Sequence, residues 1–162
     1  MAYLYQPKYI IQGARRSPFY ELSEEDIAGL KVDIEAIGAD ISIFEFNSKR
    51  VDGTGYIDAL DIIAVRGNVL PDDYSSSKHP RDIMSKRAVL AHEYYGHRRH
   101  RGTDLFQGCW EDEYRASREA AELTPNLTTK ERRHLILDAM ERKREAGIIP
   151  EVDDFMRRVL YE

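Results

Sequence analysis

The stretch HEYYGH, residues 92 to 97, places two histidines five positions apart in a segment with helical character. In a regular α-helix each residue turns by about 100°, so a spacing of five leaves two side chains about 140° apart. His92 and His97 can face the same way if one turn widens to i→i+5 hydrogen bonding, because such a π-bulge absorbs one extra residue. We therefore predict a π-turn here. Gly96 favours it by removing a side chain where the backbone must distort or a neighbour must approach.

The pattern H-E-x-x-x-H resembles the hallmark of the dipeptidyl peptidase III family of zinc peptidases, whose downstream acidic helix reads roughly E-E-x-R-A-E. Residues 112 to 117 of this chain read DEYRAS. The likeness covers these two segments only, and chains of that family are several times longer. Asp112 and Ser117 depart from its pattern, standing where it has a glutamate and a final acid. In size and element order the chain is similar to the compact minigluzincins, which implies an α+β, zincin-like fold.

The same resemblance implies the roles of four residues. His92 and His97 would bind zinc, Glu113 would be the third ligand and Glu93 the catalytic carboxylate. Two histidines and a carboxylate are a common ligand set for catalytic zinc, with one position left for water. Glu93 would then take a proton from that water and pass it to the leaving amine.

The residues themselves leave the third ligand open. Glu113 shares a helix face with Ser117 and Ala120, whose small side chains would let this helix approach the motif helix. Three other acids compete for the ligand position: Glu111, Asp112 and Glu119. A ligating histidine also needs an acceptor for its other ring nitrogen, and Asp112 or Glu111 could provide it.

In the first half of the chain the pattern predicts one helix and a small sheet. Residues 23 to 38 begin with Ser23 as a possible N-cap, place apolar residues on one stripe and end at Gly38. Residues 40 to 47 and 56 to 70 have strand-like composition and are separated by turn residues. We predict a small, mostly antiparallel sheet packed with the motif helix. Residues 61 to 70 would be an edge strand that pairs with an extended substrate, or an ordinary strand of the sheet.

The second half is predicted to be helical. The motif helix should begin at Pro80, since proline suits the first helical position, and should run to Gly102. A second helix follows until Pro125, and Thr128 with Glu131 forms a possible capping box for a third. The last residues, 151 to 162, read as an amphipathic helix that docks one face on the core.

Composition limits the remaining possibilities. With 162 residues, of which 42% are hydrophobic, we expect a single domain over residues 1 to 162. A net charge of −5 gives no overall attraction to nucleic acid or to an anionic membrane, and no apolar run is long enough to span one. The lone cysteine, Cys109, excludes an internal disulfide and, with no signal-peptide pattern at the N-terminus, favours a cytoplasmic protein.

We therefore expect a zinc-dependent metallopeptidase acting on a peptide or protein substrate, without nucleic-acid or membrane partners. The oligomeric state stays open. The alternative is a catalytically silent zincin-fold binding module that acts through a protein partner. The basic stretch GHRRHRG, residues 96 to 102, could suggest a nucleic-acid factor, but it fits better as a last helical turn that complements the helix dipole.

Overall fold

The computed structural model describes residues 15–102 and 105–162, in which six α-helices accompany a three-stranded mixed sheet, an α+β arrangement. The elements are α1 (Glu24–Ala36), β1 (Phe44–Phe46), β2 (Gly55–Ile57), β3 (Ile62–Val65), α2 (Pro80–Ile83), α3 (Lys86–Ala91), a π-helical turn (His92–His97), α4 (Trp110–Leu123), α5 (Thr129–Glu145) and α6 (Asp154–Tyr161). Within the described ranges, no helix has the length and apolar character needed to cross a bilayer.

The predicted helix boundaries are mostly confirmed because they depend on local capping. Ser23 caps α1 in a capping box with Asp26, and Gly38, at φ 72°, follows its end. Thr128 caps α5 by accepting a hydrogen bond from the Glu131 amide, and the Glu131 side chain accepts in return from the Thr128 amide. Helix α4 ends two residues before Pro125, as proline requires.

The prediction of one continuous helix from Pro80 to Gly102 is wrong. The chain is extended at Met84 and Ser85, with ψ 133° and 159°, so α2 ends and α3 begins anew. The Ser85 hydroxyl accepts a hydrogen bond from the Ala88 amide (3.1 Å) and donates one to Glu131 of α5 (2.5 Å). Ser85 thus acts as an N-cap, and its bond to α5 fixes where the motif helix begins.

The sheet has the order β1-β3-β2, with β1 parallel and β2 antiparallel to β3. The expectation of a mostly antiparallel sheet is therefore wrong for one of its two strand pairs. After β1 the chain crosses the end of β3, where the Asn47 amide donates to the Val65 carbonyl (2.8 Å) and the Arg66 guanidinium to the Ser48 carbonyl (2.8 Å). It then returns as β2 and turns into β3, which is inserted between the other two strands.

This order also corrects the predicted edge strand. Residues 61 to 70 contain β3, which is the central strand, and the free edge near the motif helix belongs to β2.

The motif segment is supported from the side opposite the cleft. The Tyr95 hydroxyl donates to the Ile37 carbonyl at the end of α1 (2.5 Å), and the Tyr94 ring stacks on Phe44 of β1 at 5.9 Å. Fully buried residues fill the space between the helices and the sheet: Leu30, Ile34, Ile37, Ile63, Leu90, Leu135 and Ile136. The motif therefore stands on a packed core, which limits how far its side chains can move.

Candidate metal centre

The segment His92–His97 forms the predicted π-helical turn. The extra residue is absorbed, and both imidazoles project from the same face. Their Nε2 atoms lie 3.0 Å apart and their ring planes meet at 77°. Two rings about 140° apart on a regular helix could not meet in this way.

Gly96 is required by the approach of a neighbouring helix. A Cβ at this position would lie 2.6 Å from the Ala116 carbonyl oxygen and 2.7 Å from the Ala116 Cα. Helix α4 therefore packs directly on the backbone of the π-turn. Of the two roles that the sequence left open for Gly96, the close contact with α4 is the one that the structure supports.

This contact brings the third side chain to the two histidines. Glu113 of α4 places Oε1 3.1 Å from His92 Nε2 and Oε2 3.2 Å from His97 Nε2. The competing acids lie elsewhere: Glu111 is exposed and Glu119 pairs with His100. Asp112 contacts the outer nitrogen of His97 instead.

The spacing of these three groups suits a tetrahedral metal ion. Zinc bound at about 2.0–2.1 Å places neighbouring ligand atoms about 3.3–3.4 Å apart in a tetrahedron. The two Nε2 atoms are 3.0 Å apart, and the Glu113 carboxylate lies 3.1 Å from His92 through Oε1 and 3.2 Å from His97 through Oε2. Small shifts of these side chains would admit the ion. The cluster of His92, His97 and Glu113 could thus hold one metal ion. It lines a cleft of about 450 Å³.

Each histidine is oriented by an acceptor behind it. Asp112 Oδ2 lies 3.2 Å from His97 Nδ1, as one of the two predicted partners. His92 Nδ1 lies 2.9 Å from the Ser117 hydroxyl, which donates to Asp138 of α5 (2.5 Å). Since the hydroxyl proton points to Asp138, His92 donates from Nδ1, so Nε2, which faces Glu113, is the nitrogen available to a metal.

Sequence reasoning missed the Ser117–Asp138 pair. Ser117 was noted as a departure from the family's acid and as a small residue that lets the helices approach, but not as the group that connects His92 to an acid on another helix. One signal was present: Asp138 is a carboxylate on the apolar face of α5, between the buried Ile136 and Ala139. A buried acid rarely lacks a partner.

The cluster is strongly polarised. Burial opposes a charge on His97, but hydrogen bonds to Asp112 and Glu113 outweigh it and raise the pKa of His97 to about 10. Burial likewise opposes the Glu113 carboxylate, yet hydrogen bonds from His92 and His97 hold its pKa far below the usual range. The Glu113 carboxylate is thus stabilised by positive charge beside it, and a bound cation would supply positive charge at the same place.

Glu93 lies inside the cleft beside this cluster. Its side chain is buried, and burial raises its pKa despite the opposing charges of His97 and His92. The Tyr56 amide of β2 donates to Glu93 Oε1 (3.1 Å), which orients the carboxylate. The Tyr56 carbonyl, at the same edge of β2, accepts from Gln107 Nε2 (3.2 Å).

Arginines also line the cleft. No sequence motif had indicated them. Arg142 of α5 places Nη2 3.3 Å from Glu113 Oε1 and Nε 3.3 Å from Asp138 Oδ1. Arg81 of α2 also contacts Asp138 (3.2 Å) and pairs with Glu145 (3.1 Å).

A second group of potential ligands, His79, Glu141 and Glu145, is chemically less suited to a metal. His79 Nδ1 accepts a hydrogen bond from the Arg81 amide (3.2 Å), so the neutral ring carries its proton on Nε2, next to Glu145 (3.6 Å). Glu145 also pairs with Arg81. His79 therefore serves as the N-cap of α2.

The basic residues after the motif are balanced by acids. Arg98 pairs with Asp61 at 2.9 Å, and Arg101 reaches the same carboxylate at 3.5 Å. Arg99 and His100 both contact Glu119.

Comparison of the chain with models of protein families, with characterised proteins and with solved structures finds no match.

Proposed function

We propose that the protein is a zinc-dependent metallopeptidase of zincin-like organisation, related in its site plan to the gluzincins. The observation that supports this best is the convergence of three side chains. His92 Nε2 and His97 Nε2 lie 3.0 Å apart, and the Glu113 carboxylate contacts the first through Oε1 (3.1 Å) and the second through Oε2 (3.2 Å). Zinc is the preferred ion because two imidazoles and one carboxylate are a standard catalytic zinc set with one position open. Asp112 and Ser117 contact the other ring nitrogens of the two histidines and would orient them as metal ligands.

Zinc bound there would supply Lewis-acid chemistry, polarising a substrate carbonyl and acidifying a water molecule. Glu93 is the base of this reaction. It accepts the proton of the attacking water and returns it to the nitrogen of the broken peptide bond. Its burial favours the protonated form that the second step requires, and the Tyr56 amide keeps Oε1 in a fixed position.

The edge of β2 provides a place for the substrate backbone. Tyr56 directs its amide and carbonyl away from β3, toward Glu93 and Gln107 respectively. An extended peptide that displaces the Gln107 side chain could hydrogen-bond to this edge, a mode of binding that tolerates many side chains.

Two variants test this function against a silent binding module. Glu93→Gln should keep one zinc per chain and lose at least about 100-fold in peptide hydrolysis, because general-base catalysis contributes about 10²–10⁴-fold. Glu119→Gln neutralises a carboxylate that pairs with His100 outside the cleft, and should leave both zinc and activity unchanged. His97→Ala should lose the zinc. Hydrolysis that survives Glu93→Gln, or a zinc-loaded wild type without any peptidase activity, would contradict the proposal.

A further inference from the structure

Arg142 lines the cleft beside the proposed metal ligand Glu113 and does not use all of its donors. Its Nη2 lies 3.3 Å from Glu113 Oε1, and its Nε is directed at Asp138. A guanidinium carries five N–H donors. In residues 15–102 and 105–162, nothing pairs with Nη1 of Arg142, and its side chain is 20% exposed, on the wall of the cleft.

Of the three arginines that line the cleft, Arg142 alone contacts one of the proposed zinc ligands within the described residues. Arg15 donates to backbone carbonyls only, with Nε and both terminal nitrogens engaged. Arg81 pairs with Asp138 and Glu145. Arg142 is therefore the cleft arginine best placed to meet a ligand.

A metal ion changes the charge balance around Arg142. The carboxylate of Glu113 balances this guanidinium at 3.3 Å. Once Glu113 also ligates a dication, the two carboxylates of Glu113 and Asp138 face three positive charges, two on the ion and one on the guanidinium. The cleft then favours a ligand that brings an anion to the guanidinium.

Distance limits where that anion sits along the substrate. A ligand oxygen lies about 2.0–2.2 Å from zinc, so with Glu113 Oε1 as the ligand atom, Arg142 Nη2, 3.3 Å from that oxygen, is within about 5.5 Å of the ion. One extended residue spans about 3.3–3.6 Å. A carboxylate one residue beyond a carbonyl at the metal therefore comes within hydrogen-bond reach of Arg142.

We propose that Arg142 binds the free C-terminal carboxylate of the substrate, which makes the protein a carboxypeptidase. This inference depends on the proposed zinc peptidase function. Water adds across the last peptide bond: the C–N bond breaks, the hydroxyl joins the carbonyl carbon and a proton passes to the nitrogen. One free amino acid is released, with its carboxylate still at Arg142. A planar guanidinium suits this recognition, since it can bind both carboxylate oxygens.

The test uses the zinc-loaded Glu93→Gln variant and calorimetry with an N-acetylated tripeptide as its free acid and as its C-terminal amide. The acid should bind about 10- to 100-fold more tightly, as expected for a charge-assisted hydrogen bond. Equal affinities for the acid and the amide would overturn the inference, and this comparison does not require a substitution at Arg142.

Further variants assign the preference to Arg142. In the same Glu93→Gln background, Arg142→Gln should reduce the acid-to-amide ratio to near one, while Arg142→Lys should retain part of it. Arg144→Gln is the matched control, because it removes a charge from the same helix at a residue that pairs with Glu141. Zinc content is measured for each variant, since Arg142 contacts Glu113. A full preference in zinc-loaded Arg142→Gln would overturn the assignment.

Wild-type kinetics separate the two proposals. If the protein cleaves acid and amide with equal kcat/KM, the carboxylate site is wrong and the peptidase function stands. If zinc-loaded protein prefers the acid in binding but cleaves neither peptide, the peptidase function is wrong and the carboxylate site stands.

Discussion

Replacing Gly96 by alanine should move Glu113, the proposed third metal ligand, away from His92 and His97. The added Cβ would lie 2.6–2.7 Å from three atoms of Ala116: its carbonyl oxygen, Cα and Cβ. Carbon atoms in contact are ordinarily about 3.5–4.0 Å apart, so α4 would have to retreat by about 0.8 Å or more. Glu113 lies one turn before Ala116 on this rigid helix and would move with it.

The size of this movement exceeds what a zinc site tolerates. Ligand distances must agree within about 0.2 Å, so Glu113 would be lost or weakened as a ligand. We expect the zinc affinity to fall at least about 10-fold, since even a lost outer partner costs 10- to 100-fold. Overpacking of about 1–3 kcal/mol should lower Tm by about 2–12 °C for a chain of this length.

Competitive zinc titration and thermal unfolding with and without zinc would measure both effects. Gly55→Ala is the control, because a Cβ there meets no atom within 4 Å. If no neighbour approached Gly96, alanine would be neutral or would stabilise the helix by up to about 1 kcal/mol, because Gly96 is not among the glycines at positive φ. Unchanged zinc affinity and Tm in Gly96→Ala would refute the close-contact explanation.

Three further substitutions test the surroundings of the site. Ser117→Ala removes the acceptor behind His92 and should weaken zinc binding about 10- to 100-fold in a chelator competition, whereas unchanged affinity would rule out an orienting role. Ser85→Ala removes the N-cap of α3 and should lower the free energy of unfolding in urea by about 0.5–2 kcal/mol; no loss would show that the cap is dispensable. Gln107→Ala frees the Tyr56 carbonyl and should lower KM for an extended peptide at constant zinc content, while a raised KM would mean that Gln107 itself binds the substrate.

The features predicted correctly from sequence are those encoded locally. The capping boxes at Ser23 and Thr128 and the stop before Pro125 each depend on residues within one turn. The π-turn also followed from a local fact, the five-residue spacing of His92 and His97.

The features that were missed depend on contacts distant in sequence. Ser85 reads as an ordinary helix residue until Glu131, 46 positions later, accepts its hydroxyl proton. Arg142 belongs to an amphipathic helix with several similar cations, and only the packing of α5 against α4 sets it beside Glu113. The central position of β3 likewise depends on the path of the preceding loop, for which the pattern of apolar residues gives no indication.

X-ray absorption at the zinc edge of the purified protein tests the proposed ion most directly. We expect one zinc per chain with four ligands at about 2.0–2.1 Å, and with multiple scattering from two imidazoles. His97→Ala protein, which should lose the zinc, should give no zinc-edge signal of stoichiometric intensity. Purified protein without stoichiometric zinc, or a spectrum with oxygen ligands alone, would contradict a shared site of His92, His97 and Glu113.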